Sequence, residues 1–86
     1  MMKYFTYILQ SEKDTNFYVG FTTDLIKRRQ EHNNGNVAST RNRRPLKLIY
    51  YEVCFNQQDA THREKYLKKY LGRLFLKNRL KSYLIG

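Results

Sequence analysis

Residues 3–10 (KYFTYILQ) and 17–22 (FYVGFT) are rich in β-branched and aromatic side chains, and a polar stretch from Ser11 to Asn16 separates them. This pattern predicts two strands joined as a hairpin. Strand alternation sets Phe17, Val19 and Phe21 on one face of the second strand, and Tyr18 and Gly20 on the other. Thr23-Asp24 offers an N-cap, and residues 25–33 read as a helix. Asn33-Asn34-Gly35-Asn36 stops it, with Gly35 suited to the left-handed conformation that closes many helices. Residues 36–45 show no apolar periodicity and read as a loop. Residues 46–55 (LKLIYYEVCF) read as the third strand. From Gln57, behind a cap at Asn56 or Asp59, the pattern is helical to about Leu71, where Gly72 is expected to break it. A last helix is expected over residues 73–84. The order β-β-α-β-α-α predicts an α/β (α+β) fold, one domain over 1–86. Its small three-stranded antiparallel sheet is flanked by three helices, because the hairpin forces antiparallel pairing and the helices must cover the sheet.

Charge changes this picture from a fold into a candidate function. Seventeen Lys and Arg oppose seven Asp and Glu, for a net charge of +10. So basic a short chain favours a polyanion as partner, nucleic acid ahead of a membrane surface, although a soluble surface can be basic without one. No run approaches the ~20 apolar residues of a membrane span, and Met1-Met2-Lys3-Tyr4 lacks a signal-peptide apolar stretch, so a cytoplasmic location is expected. The single cysteine, Cys54, lies in an apolar run and is expected to be a buried thiol. One Cys and two His, His32 and His62, cannot build a zinc site without several carboxylates.

Three groups of residues sit oddly with a purely structural reading. In the second helix, Glu64 shares a stripe with Ala60, Leu67 and Leu71. A carboxylate on an inward face must be paired, hydrogen-bonded or bound to metal. Glu64 is the only acid between Thr61 and Gly86, against eight Lys and Arg, so an ion pair with one of them is the simple alternative. In the first helix, Leu25, Arg28 and His32 share a face. They form either a cationic site for phosphate or a snorkelling Arg beside a hydrogen-bonded His. Tyr18 and Gly20 share a strand face, Tyr7 lies on the strand expected to pair with it, and a glycine inside a strand often marks close approach by another group. Two half-buried tyrosines in a sheet also need no special role. The stretch 41–47 (RNRRPLK) adds a basic patch of Arg41, Arg43, Arg44 and Lys47, and Arg29 adds another cation, suited to phosphate contact or simply solvated.

Taken together, these residues resemble the GIY-YIG nuclease family over about residues 4–83. Phe5-Thr6-Tyr7-Ile8-Leu9 stands at the first motif, with Phe5 in place of its glycine, and Tyr18-Val19-Gly20 at the second. Arg28, His32 and Glu64 fall at the family's arginine, helix histidine and metal-binding glutamate. The run from Tyr18 to Leu25, with Arg28-Arg29, Glu31-His32-Asn33 and Arg44-Pro45, is similar to small single-domain bacterial proteins that resemble the N-terminal nuclease half of the excinuclease C subunit.

The resemblance implies hydrolysis of a DNA phosphodiester at one divalent ion, Mg²⁺ or Mn²⁺, held by Glu64. No second carboxylate lies near Glu64 in sequence, which argues against a two-metal cluster. The implied catalytic residues are Tyr7, Tyr18, Arg28, His32 and Glu64. Arg28 braces transition-state charge, and Tyr18, in second place Tyr7, or else His32 handles the proton of the attacking water. Arg29, Arg41, Arg43, Arg44 and Lys47 are the implied nucleic-acid contacts. DNA is the expected partner and RNA remains open. Low sequence specificity, a possible place in DNA repair and a protein partner that supplies targeting complete the expectation. Two other classes stay in view: a binding module of weak catalysis on the same fold, and a basic adaptor that docks on an acidic protein.

Overall fold

The computed structural model describes residues 1–86. Strands β1 (Tyr4–Ser11) and β2 (Phe17–Thr22) form the hairpin, and β3 (Leu46–Cys54) pairs with the other side of β1. Both pairings are antiparallel, giving the order β2-β1-β3 with β1 in the centre. Helix α1 (Leu25–Asn33) follows the hairpin, and helices α2 (Gln57–Lys68), α3 (Tyr70–Arg79) and α4 (Lys81–Ile85) follow β3. The three-stranded antiparallel sheet matches the sequence expectation.

Opposite faces of β1 enter different cores. Ile8 meets Leu67 and Leu76 on the α2–α3 side, with Phe17, Val19 and Phe75 against them. Tyr7 and Leu9 meet Leu46 on the α1 side, with Tyr18 and Leu25 against them. Burial of both faces explains why β1 reads as an unbroken run of β-formers rather than as strict alternation. The Thr6 hydroxyl donates to the Ala60 carbonyl at 3.0 Å, so a polar side chain on the inner face is satisfied and ties α2 to the sheet.

Helix α1 is fixed at both ends. Asp24 caps it by accepting from the Lys27 amide, and Gly35, at φ +81°, turns the chain away after it. The Asn33 side chain accepts from the Leu46 amide at 2.9 Å and donates to the Leu46 carbonyl at 3.0 Å, docking the end of α1 on the start of β3. The loop after α1 contains a 3₁₀ turn at Arg41–Arg43. Buried Ser11 donates to the Arg43 carbonyl at 2.7 Å, so this polar loop is held against the hairpin. Asn56 caps α2 through the Asp59 amide, one of the two caps expected.

Three expectations are corrected. The chain has four helices rather than three, because the last helical stretch is divided at Leu80. The break after α2 falls at Lys69, whose backbone is extended, and not at Gly72, which lies buried inside α3. A Cβ at Gly72 would collide with the Tyr66 carbonyl and the Leu67 Cα. The glycine therefore seats α3 on the end of α2, and Leu71, now on α3, is 63% exposed rather than continuing the Ala60–Leu67 stripe. Finally, Cys54 is half-buried, with its thiol directed to the Asn56 carbonyl at 3.3 Å.

The Gly72 contact gives a prediction of opposite sign to helix propensity. In an open helix position Ala is favoured over Gly by about 1 kcal/mol. Here Gly72→Ala is expected to destabilise by about 1–3 kcal/mol, since overpacking must be relieved by moving backbone. Urea unfolding measures the difference, and a stabilised variant would show that α3 is free to shift on α2.

Candidate active site

The site is built around one buried phenol. Tyr7 stands on the central strand directly opposite Gly20 of β2, and it is 3% exposed. A Cβ at Gly20 would run into the Tyr7 ring, so the glycine lets the ring lie across the β2 backbone. That placement brings the hydroxyl beneath α1. Arg28 Nε donates to it at 3.2 Å, and His32 Nε2 lies 2.9 Å away. The α1 face of Leu25, Arg28 and His32 therefore meets the sheet as its spacing predicts.

His32 is 4% exposed, and its other ring nitrogen, Nδ1, is 2.7 Å from the Thr40 hydroxyl. With the proton on Nδ1, the imidazole donates to Thr40 and accepts the Tyr7 O–H at Nε2, while Arg28 fills a remaining lone pair of the phenol. The other tautomer would aim two donors at the phenol oxygen and leave the phenol proton no acceptor in this group. Burial, followed by the nearby Arg28 guanidinium, lowers the His32 pKa below its ordinary value, so the neutral ring is favoured. Burial also raises the Tyr7 pKa, against the opposing pull of Arg28. Arg28 is held charged by its hydrogen bond to Tyr7, and its Nη1 pairs with Glu31 at 3.3 Å.

Glu64 enters from the other side of the sheet. Because β2 is an edge strand, α2 on the opposite face can present Glu64 past that edge. A cleft of about 550 Å³ opens there, lined by Tyr7, Tyr18, Gly20, Arg28, His32 and Glu64 together with Thr40, Lys68 and Arg73. All five residues expected to be catalytic line this one cleft. The ion pair that the sequence allowed for Glu64 is also present: Lys68 Nζ lies 3.2 Å from Glu64 Oε2. Tyr18 packs against the Tyr7–Leu9–Leu46 cluster, and the hub of the hydrogen-bond network is Tyr7 rather than Tyr18.

No group of three or more His, Cys, Asp or Glu is arranged to hold a metal ion. Glu64 is the one carboxylate in the cleft. Such a donor set fits Mg²⁺ or Mn²⁺, which bind through few carboxylates and keep several waters, and does not fit a zinc site. The carboxylate already accepts a cation in the form of the Lys68 ammonium.

The expected nucleic-acid contacts fall outside the cleft lining. Arg43 pairs with Asp14 at 3.1 Å, Arg41 donates to the Gly35 carbonyl, and Arg44 donates to the Arg41 carbonyl. Arg29 and Lys47 are exposed. The cleft instead gains Lys68 and Thr40, which the sequence reading did not single out, and Arg73, which it read only as one of several basic residues of the last helix. Lys68 carried one signal, its i+4 spacing from Glu64. Thr40 carried none, being one more polar residue in a loop without periodicity.

A model of the GIY-YIG catalytic domain matches residues 3–81. A UPF0213 protein of Clostridium perfringens is 47% identical over 66 residues, 76% of this chain and 70% of that one. A UPF0213 protein of Lactococcus lactis is 42% identical over 86 residues, 99% of this chain and 82% of that one. The solution structure of a UPF0213 protein from Bacillus halodurans is similar with a TM-score of 0.50 at 29% identity, covering 98% of this chain and 83% of that one.

The lowered His32 pKa fixes the sign of a pH effect. Below about pH 6.5 the unfolded chain takes up the proton more readily than the folded one. His32 therefore contributes its full stability above that pH, and the contribution falls as pH drops through the folded-state pKa. Urea midpoints compared above and below pH 6.5 are expected to fall further in wild type than in His32→Gln. Parallel curves would assign the acid sensitivity to other groups.

Proposed function

The chain belongs to the GIY-YIG catalytic-domain family, a nuclease family, and we propose that it is a divalent-metal-dependent endonuclease that hydrolyses DNA phosphodiester bonds with low sequence specificity. The observation that supports this most is the convergence, in one cleft, of the Tyr7–Arg28–His32 network with a single carboxylate, Glu64.

In the proposed reaction, the scissile phosphate lies between Arg28 and Glu64. Glu64 would hold Mg²⁺ or Mn²⁺, which when bound neutralises phosphate charge and stabilises the leaving oxygen. Arg28 is positioned by Tyr7 and Glu31, and its Nη2 has no protein partner, leaving that donor for the phosphate. The attacking water gives its proton to Tyr7 Oη as the phenolic proton passes to His32 Nε2. This relay uses the neutral histidine as the acceptor and avoids a free phenolate in a site that raises the Tyr7 pKa. Thr40 fixes the tautomer. Tyr18 borders the same space and orients the water or the strand. The exposed Arg29, Arg41, Arg43, Arg44 and Lys47 are assigned to phosphate contact away from the cleft, with Arg43 first having to release Asp14. No helix is long and apolar enough to cross a membrane. A cytoplasmic role in DNA repair or processing, with targeting supplied by a protein partner, belongs to the same proposal.

The test is nicking of supercoiled plasmid and cleavage of branched DNAs in Mg²⁺ or Mn²⁺ against EDTA. Glu64→Ala and Arg28→Ala are each expected to lower the rate by about a hundredfold or more with the fold retained by circular dichroism. Tyr7→Phe is expected to do the same, because it removes the proton that His32 accepts. Near-wild-type cleavage by any of these variants removes that residue from the mechanism. Absence of metal-dependent cleavage in wild type, with steeply salt-sensitive DNA binding, would leave a binding module instead.

A further inference from the structure

Tyr70 is the first residue of α3, it is 74% exposed, and no hydrogen bond or ring contact engages it. Single exposed apolar side chains are ordinary on a protein surface, so what sets this ring apart is the set of basic side chains around it. Its surroundings are cationic. Lys68 and Lys69 precede it and Arg73 follows one turn later on the same face of α3. Lys68 and Arg73 line the catalytic cleft, and Arg73 Nε is anchored to the Lys68 backbone carbonyl at 3.2 Å, which holds the Arg73 side chain against the α2–α3 corner. Glu64, the one acid of residues 61–86, points into that cleft and is paired with Lys68.

We infer that this corner holds a nucleic-acid strand next to the cleavage point, with Tyr70 stacking on an unpaired base and Lys69 and Arg73 on the flanking phosphates. Interleaved aromatic and basic side chains are what a single strand requires, since every base offers a π-face and every link a charge. A continuous duplex keeps its bases stacked on each other and offers Tyr70 nothing. The substrate class is therefore nucleic acid with unpaired nucleotides beside the scissile phosphate: single strands, flaps and gaps. This rests on the nuclease reading for the position of that phosphate, and the corner's binding role is measurable without cleavage.

The experiment is fluorescence anisotropy in EDTA with a labelled single-stranded oligonucleotide and its duplex, for wild type, Tyr70→Ala, Tyr70→Leu and Tyr70→Phe. Tyr70→Ala and Tyr70→Leu are expected to weaken single-strand binding by about tenfold while leaving duplex affinity unchanged, and Tyr70→Phe to bind as wild type. Tyr70→Leu keeps apolar bulk without a π-face, so its loss separates stacking from packing. Equal weakening on both substrates, or no weakening on either, overturns the inference. Tyr70-dependent binding without any metal-dependent cleavage would sink the nuclease reading and leave the binding surface standing. Cleavage indifferent to Tyr70 on single strands would do the reverse.

Discussion

A phenol cannot lie in an apolar core without a partner for its hydroxyl, and the Tyr7 hydroxyl lies on the central strand of a three-stranded sheet. Leaving it unpaired would cost roughly 1–3 kcal/mol. The structure meets that demand from one helix: Arg28 and His32, one turn apart on α1, both reach it. Much of the α1 side follows from this. The Asp24 cap and the Asn33 clamp on Leu46 set where the helix starts and ends. Gly20 clears the space in which the ring lies, and buried Thr40 fills the far side of the imidazole. The same bonds that satisfy a core polar group therefore align a phenol and an imidazole with a guanidinium.

The α2–α3 side is held by a different device. Arg63 makes two bonds to Glu52 of β3, at 2.8 and 2.9 Å, and its guanidinium lies over the Phe75 and Tyr66 rings at 4.6 and 5.2 Å. Glu52 also accepts from the Tyr50 hydroxyl. Burial opposes ionisation of Glu52, but these bonds outweigh it and leave its pKa lowered. The carboxylate thus stays charged and pins α2 and α3 to β3. Glu64, one residue after Arg63, is thereby carried to the β2 edge of the sheet on a fixed helix.

Sheet order explains why two layers can serve one site. With β2 at the edge and only six residues long, nothing beyond it separates α1 from α2. Cations from both layers then face one carboxylate: Arg28 from α1, Lys68 from α2 and Arg73 from α3 against Glu64. These side chains give the cleft a positive field around a single carboxylate.

Periodicity and caps were local properties, so the sequence by itself determined the strands, α1 with its cap at Thr23-Asp24, the face shared by Leu25, Arg28 and His32, and the meaning of Gly20 as a site of close approach, while it left the α2 cap between Asn56 and Asp59. The motif residues around Tyr7, Tyr18-Val19-Gly20, Arg28, His32 and Glu64 also carried the resemblance to the family. What only tertiary structure decided depended on contacts between distant segments. Gly72 reads as a helix breaker because glycine has poor helix propensity, yet it is buried in α3 where two helix backbones meet. Thr40 and Ser11 are ordinary polar residues in sequence and become buried only because the loop folds against α1 and the hairpin. The choice of Tyr7 over Tyr18 as the hub was decided by pairing register, which sets Tyr7 opposite the one strand residue without a side chain. Local pattern says which face a side chain takes, and only the assembled layers say what stands across from it.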